Sequence, residues 1–310
     1  METKRKYGFS GPLLLLITAF IWGSAFIAQE VGGEMGAFTM LSLRSALAAI
    51  VLLPVIFFAD KIRKGRGNKA YRFDKKTVIG GMLCGIALFL GSIFQQLGIN
   101  YGTSSGKAAF ITALYIIIIP IIGFFMGKRT SLRVVICAVS AIVGFYFLCF
   151  TDGVSGIGIG DILVLLGSFA FSAHILIVDR LSQGTDGIRL SCVQFVMCFL
   201  LSGIFVPIFE SPSVEVIGNN IVALLYAGVL SSGVAYTLQI IGQKSTEPTV
   251  ATMIMSLESV FAMISNMVFP LITSKMEPYA PSAREIIGCV IIFAAIITAQ
   301  IPSKTAAQEV

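Results

Sequence analysis

Two ionisable side chains each interrupt an apolar run: Arg44, within Leu41-Ser42-Leu43-Arg44-Ser45-Ala46-Leu47, and Glu258, within Met255-Ser256-Leu257-Glu258-Ser259-Val260-Phe261. A guanidinium can hold a carboxylate or phosphate through paired hydrogen bonds, and a carboxyl group can accept from donors or carry a proton. Uncharged polar residues accompany them at helical spacing. Ser232, Tyr236, Gln239 and Gln243 step by four, three and four, while Ser92, Gln96 and Asn100 step by four, with Gln95 bordering that stripe. Shorter sets are Thr112 with Tyr115, Thr252 with Ser256, Ser259 and Asn266, and Thr18 with Trp22; His174 is the single histidine. Residues three or four apart share one helix face. A face rich in amides and hydroxyls either lines a wet cavity or bonds a neighbouring helix, and converging polar and aromatic groups are the usual lining of a small-molecule site.

The elements that must hold these groups follow from composition. Of 310 residues, 56% are hydrophobic and 12% charged, about half the charged fraction of a soluble domain. So few charges cannot coat a water-soluble globule of this size, and the surrounding solvent must be lipid. Runs of about 20 apolar residues are needed to cross a hydrocarbon core. Ten are found, at 12–29, 36–59, 77–98, 107–126, 131–150, 160–178, 190–209, 220–242, 249–273 and 283–301. On a rise of 1.5 Å per residue, Arg44 lies about 12 Å from one end of its span and Glu258 about 13 Å from the opposite end of its own, both near the midplane. They can pair structurally or flank a shared cavity, and a carboxyl group at that depth is a candidate proton carrier.

Of the 22 Lys and Arg residues, 18 fall in the amino-terminal segment and the connections on its side of the membrane, including Lys4, Arg5, Lys6, Lys61 to Lys76, Lys128, Arg129 and Lys304. Only Lys107, Lys275 and Arg284 fall on the other side. Retention of basic loops in the cytoplasm then places both termini inside. The net charge of +6 is therefore an orientation signal, and no nucleic-acid partner is expected. Met1 to Gln29 has the basic start of a signal peptide, but its apolar run is too long and no clean small-residue cleavage site precedes Gln29, so it reads as a retained first span.

Catalysis and metal binding find little support. Gly158-Ile159-Gly160-Asp161 spells the G-x-G-D string of intramembrane aspartyl proteases, but no second aspartate is embedded at depth to share its proton. Asp161 is better read as a capping or first-turn acid. No Ser-His set, H-E-x-x-H or G-x-x-x-x-G-K-[ST] string occurs. The six cysteines lie in apolar runs without metal or disulfide spacing. No catalytic residue, metal or cofactor is expected.

A shift of 143 to 150 positions brings similar patterns together. Leu97 to Thr112 meets Ile240 to Met255, each a span, a polar turn and a Thr-containing helix start; Thr246, Glu247 and Pro248 supply cap, acid and first-turn proline in the second copy. The units are 1–151 and 152–310. Five spans per unit is an odd number, so the second copy enters from the opposite face, and inverted repeats of this kind permit alternating access to a midplane site. Gly80, Gly81, Gly85 and Gly91 allow close helix approach, and Pro120 is expected to bend the fourth span.

Trp22-Gly23-Ser24-Ala25-Phe26-Ile27-Ala28, Leu43 to Ala49 with Pro54, and Leu257-Glu258-Ser259-Val260-Phe261-Ala262 resemble the drug/metabolite transporter superfamily, in particular its bacterial EamA-type members. The resemblance covers essentially the whole chain as two five-helix units. Departures are Ser259 where proline commonly follows the glutamate, Gly127-Lys128-Arg129 in place of glycine-glutamate, and a longer loop after the ninth span. The fold expected is an all-α membrane protein of ten transmembrane helices in two inverted five-helix repeats. The resemblance implies that the third, fourth, eighth and ninth helices, with the first and sixth, enclose a central cavity. The substrate-pathway residues expected are Trp22, Arg44, Gln95, Gln96, Asn100, Thr112, Tyr115, His174, Ser232, Tyr236, Gln239, Ser256 and Glu258. It further implies a secondary carrier in the bacterial cell membrane, with a small-molecule substrate and the lipid bilayer as partners and a homo-oligomer left open, exporting amino acids or related metabolites. An importer, an uncoupled exchanger, a passive channel and a lipid-handling protein are the alternatives.

Overall fold

Lipid offers no partner to a backbone N–H or C=O, so each long apolar run satisfies its backbone by pairing N–H with C=O inside its own segment. The computed structural model of the chain describes residues 10–69, 71–125, 132–149, 157–246, 248–271 and 280–300, and no strand occurs among them. The first half contributes α1 (Ser10–Val31), α2 (Ala37–Gly65), α3 (Lys75–Asn100), α4 (Ser105–Thr112), α5 (Tyr115–Phe125) and α6 (Leu132–Cys149). The second contributes α7 (Ile159–Leu181), α8 (Gly187–Phe209), the short α9 (Val214–Asn219) and α10 (Ile221–Leu225), a π-helical stretch Tyr226–Ala235, α11 (Tyr236–Gln243), α12 (Pro248–Met255), α13 (Glu258–Val268) and α14 (Ala283–Gln300).

Among the described residues, 8 helical stretches are long and apolar enough to cross a membrane. The expected spans 131–150 and 283–301 correspond to α6 and α14, helices of 18 residues each that pack on one another. Lys4, Arg5, Lys6, Lys128, Arg129, Glu247, Lys275 and Lys304 lie outside the described residues.

Two features of helix shape go beyond what the sequence suggested. The fourth span is interrupted at Ala113-Leu114, and Pro120 sits inside α5. The eighth is a mixed helix, because the π-helical stretch winds with more residues per turn than an α-helix and rotates α11 out of the phase that a continuous α-helix would give it.

The element order recurs with the expected offset, and so does the packing. At the end of α3, a Cβ on Gly98 would lie 2.6 Å from the carbonyl of Gly160 at the start of α7. At the end of α11, a Cβ on Gly242 would lie 3.0 Å from the carbonyl of Gly11 at the start of α1. Val164 and Leu15, the side chains behind these crossings, are equivalent residues in the two copies.

α2 and α8 are equivalent helices that pack against each other and run antiparallel. Glu210, ending α8, accepts from the backbone N–H of Phe38 (2.9 Å) and Thr39 (2.7 Å) and from the Thr39 hydroxyl (2.7 Å) at the start of α2. Asp60, near the end of α2, meets Arg189 at the start of α8, Nη2 to Oδ2, at 2.5 Å. Asp60 and Glu210 are themselves equivalent, so each copy supplies the acid that closes the start of the other copy's helix. Gly36 turns the chain into α2 with φ +88, a left-handed conformation that favours glycine, and Glu210 fills the space where its side chain would go.

Candidate substrate cavity

Both the fourth and the ninth spans break at equivalent places. In the fourth, Leu114 N–H bonds Ile111 O (3.2 Å) and Ile116 N–H bonds Ala113 O (3.1 Å); in the ninth, Leu257 N–H bonds Ile254 O (3.2 Å) and Ser259 N–H bonds Ser256 O (3.1 Å). These are tight turns in which each N–H reaches back three residues instead of four. They end α4 and α12 and make Tyr115 and Glu258 the first residues of α5 and α13. The two side chains then meet, Tyr115 Oη donating to Glu258 Oε1 at 3.0 Å.

Around this contact lies a cavity of ≈ 40 Å³. One wall is aromatic: Trp22 and Tyr236 lie with ring centres 4.6 Å apart, and His174 and Phe195 meet Tyr236 edge-on. Trp22 Nε1 donates to the carbonyl of Ser231 at 3.2 Å, and His174 Nε2 bonds Gln194 Oε1 at 3.1 Å. Gln95 donates to the Thr112 hydroxyl at 2.8 Å across α3 and α4. Arg44, 5% exposed, donates from Nη1 to Gln29 Oε1 at 3.2 Å, and its Nε has no partner. Gln239, whose Oε1 is buried without a donor, completes the polar lining.

Trp22, Arg44, Gln95, Thr112, Tyr115, His174, Tyr236, Gln239 and Glu258 thus stand together on one cavity. Four other residues of the expected set stand elsewhere. Gln96 Nε2 donates to Gln29 O (3.0 Å) and Asn100 Oδ1 (3.0 Å), and Asn100 Nδ2 donates to Gly33 O (3.2 Å), so this pair ties α3 to the end of α1. Ser256 donates to Met253 O at 2.7 Å within the helix break. Ser232 is buried off the cavity, and Ser231 lines it instead. Among the described residues no ion pair joins Arg44 to Glu258; they flank the same space.

The cavity has room for about three waters. Beyond it, polar contacts join the helices towards each end of the bundle. Towards the starts of α4 and α7, Lys107 Nζ meets Asp161 Oδ2 (2.7 Å), Thr103 donates to Asp161 Oδ1 (2.8 Å), and Ser105 Oγ bonds Asn266 Oδ1 (2.8 Å). Asp161 also accepts from Gly158 N–H at 3.0 Å, as a capping acid does. At the other end, Lys244 Nζ donates to Thr185 O and Lys76 Nζ to Gln183 O, each at 2.5 Å.

Residues 9–150 and again 158–300 match the EamA-like transporter family. The chain belongs to that family. Two relatives bear the name uncharacterized transporter. One from Archaeoglobus fulgidus is 34% identical over 261 residues, covering 84% of this chain and 77% of the relative; one from Clostridium kluyveri is 22% identical over 272 residues, covering 82% and 83%. A solved crystal structure, 18% identical, superposes with a TM-score of 0.68 over 97% of this chain and 99% of its own, a likeness of fold alone. This EamA-like protein is therefore a multi-pass membrane transporter. Its two matched segments correspond to the two sets of helices that meet at Tyr115 and Glu258.

Six lining residues of the EamA-like cavity were not among those expected, the apolar Ala25, Phe26, Phe171 and Ile175 and the polar Gln29 and Ser231. Gln29 ends the first span as a lone amide, and a buried amide reaching towards Arg44 is a partner that the depth argument could have supplied. Ser231 is displaced from Ser232 by the π-helical stretch, for which no signal stands in the sequence.

Proposed function

We propose that this transporter carries a small polar metabolite, an amino acid or a related amphipathic solute, outward across the bacterial cell membrane by alternating access. One observation carries the reading: two helix breaks at equivalent positions bring Tyr115 and Glu258 together beside Arg44 in one polar cavity. Interrupted helices in corresponding halves are how secondary transporters expose backbone and side-chain groups to a substrate at membrane depth. The halves are 1–151 and 152–310, inverted relative to each other, and the antiparallel pairing of α2 with α8 supports that inversion. The basic connections support both termini being cytoplasmic. Alternation means opening the Lys107–Asp161 set while the Lys244 and Lys76 contacts hold, and then the reverse. Asp161 is engaged in capping and pairing, which supports a carrier that performs no chemistry on its solute.

Counterflow in proteoliposomes tests this. Uptake of labelled amino acids is expected to saturate and to be accelerated by unlabelled solute on the opposite side. Linear flux indifferent to solute on the opposite side indicates a channel and contradicts the reading.

A further inference from the structure

We propose that Arg44 anchors a carboxylate in the central cavity and that Gln29 is the positioning residue that aims its guanidinium. The inference rests on the carrier reading and deepens it by naming the group by which the solute is held. Arg44 carries five N–H donors, of which only one bond, to Gln29, is formed among the described residues, and Nε is buried without a partner. Buried polar groups are ordinarily satisfied; Arg44 lines the cavity with donors unused, and a planar guanidinium matches the two oxygens of a carboxylate.

The duplicated scaffold separates function from architecture. Arg44 is the eighth residue of α2, and the eighth residue of α8 is Gln194. Gln194 bonds His174 of α7, which is the match of Ala25, whereas Arg44 bonds Gln29 of α1, one turn further along and the match of Val178. Glu258, likewise, is matched by Tyr115. At each of these two places one copy carries an ionisable side chain and the other a neutral one, so the repeated helices can be built without the ionisable groups. They stand where the two copies differ.

Gln29 suits a positioning role because its carbonyl oxygen orients Nη1 without cancelling the positive charge. Its own backbone is fixed by Gln96. Across the cavity Glu258 accepts from Tyr115 on Oε1, and Gln239 offers a free Oε1. Both suit hydrogen-bond donors at the other end of the same solute. A phosphate ester would also engage a guanidinium, but beyond Arg44 the cavity offers acceptors at Gln239 and Glu258 rather than a second cationic donor, and a single planar fork matches a carboxylate.

The test is a thermal-shift and affinity panel on purified full-length protein. The probes are the common L-amino acids and matched 2-hydroxy acids, and for each acid its primary amide, its decarboxylated analogue and a small phosphate monoester of similar size. Binders are expected to carry a free carboxylate, and their amides to bind at least about a hundredfold more weakly, as for loss of one partner of a buried charge pair. Gln29→Leu is expected to weaken carboxylates about tenfold, the size of one lost positioning hydrogen bond, without changing their rank order. Gln29→Glu, which neutralises the guanidinium, is expected to abolish their binding while the ligand-free protein melts at or above the wild-type temperature. That pairing of lost binding with retained stability excludes misfolding as the cause. Amides, amines or phosphate esters binding as well as the acids, no carboxylate binding at all, or undiminished binding by Gln29→Glu would each overturn the assignment. Saturable counterflow of a solute without a carboxylate would overturn it and leave the carrier reading standing, whereas unsaturable flux removes the carrier reading whichever solutes bind.

Discussion

Glu258 tolerates burial at 3% exposure with a phenol donating to it. Removing that donor leaves a buried acceptor unpaired, which costs about 1–3 kcal/mol. Tyr115→Phe is therefore expected to lower thermal stability by that amount, whereas Glu258→Gln, whose amide oxygen still accepts from Tyr115, stays within about 1 kcal/mol of wild type. Differential scanning fluorimetry in detergent reads both. Equal losses in the two variants would mean that the Tyr115 contact is not the stabilising one. At this scale the sequence shows which residue types converge but not how each helix is rotated. The Gln96 stripe is real, yet Gln95 faces the cavity, because one residue on a helix is a turn of about 100°. Ser231 and Ser232 differ for a second reason, since π-helical winding shifts the phase in a way that no α-helical periodicity registers.

At the scale of elements, the interruptions at Ala113-Leu114 and Ser256-Leu257 decide the site, since a continuous helix would carry Tyr115 and Glu258 on separate uninterrupted faces. Their places are visible in retrospect: extending the alignment of Thr112 with Met255 by three residues puts Ala113-Leu114-Tyr115 on Ser256-Leu257-Glu258. Pro120 is the more conspicuous signal because proline is the familiar helix breaker, yet α5 continues through it. The crossings of α3 with α7 and of α11 with α1 depend on glycine. Gly98→Val places a branched side chain against the Gly160 carbonyl and is expected to cost about 1–3 kcal/mol or more through overpacking. Equilibrium unfolding of the purified variant checks it, and a neutral result would show that the two helices can separate freely at this point. Spanning length was legible for the eight long apolar stretches, and α6 and α14 were legible as helices.

For the whole molecule, the duplicated framework and its unequal decoration are the main result. Packing, helix breaks and the reciprocal acids Asp60 and Glu210 recur from one half to the other, while Arg44 and Glu258 do not. Composition and the offset of 143 to 150 carried the first part, because lipid solvent and duplication both leave marks along a chain. The second part needed coordinates, because equivalence of single residues emerges only when both helices are placed. Opening of one midplane cavity to each face in turn can be read at Ala25, which lines the cavity at 1% exposure. In a variant with the six native cysteines replaced, Ala25→Cys adds a thiol with little change in volume. In sided vesicles, a membrane-impermeant maleimide is expected to label this thiol from either face when applied alone, and a bound solute to slow labelling from both. Labelling from one face only, or from neither, would rule out alternating access through this cavity.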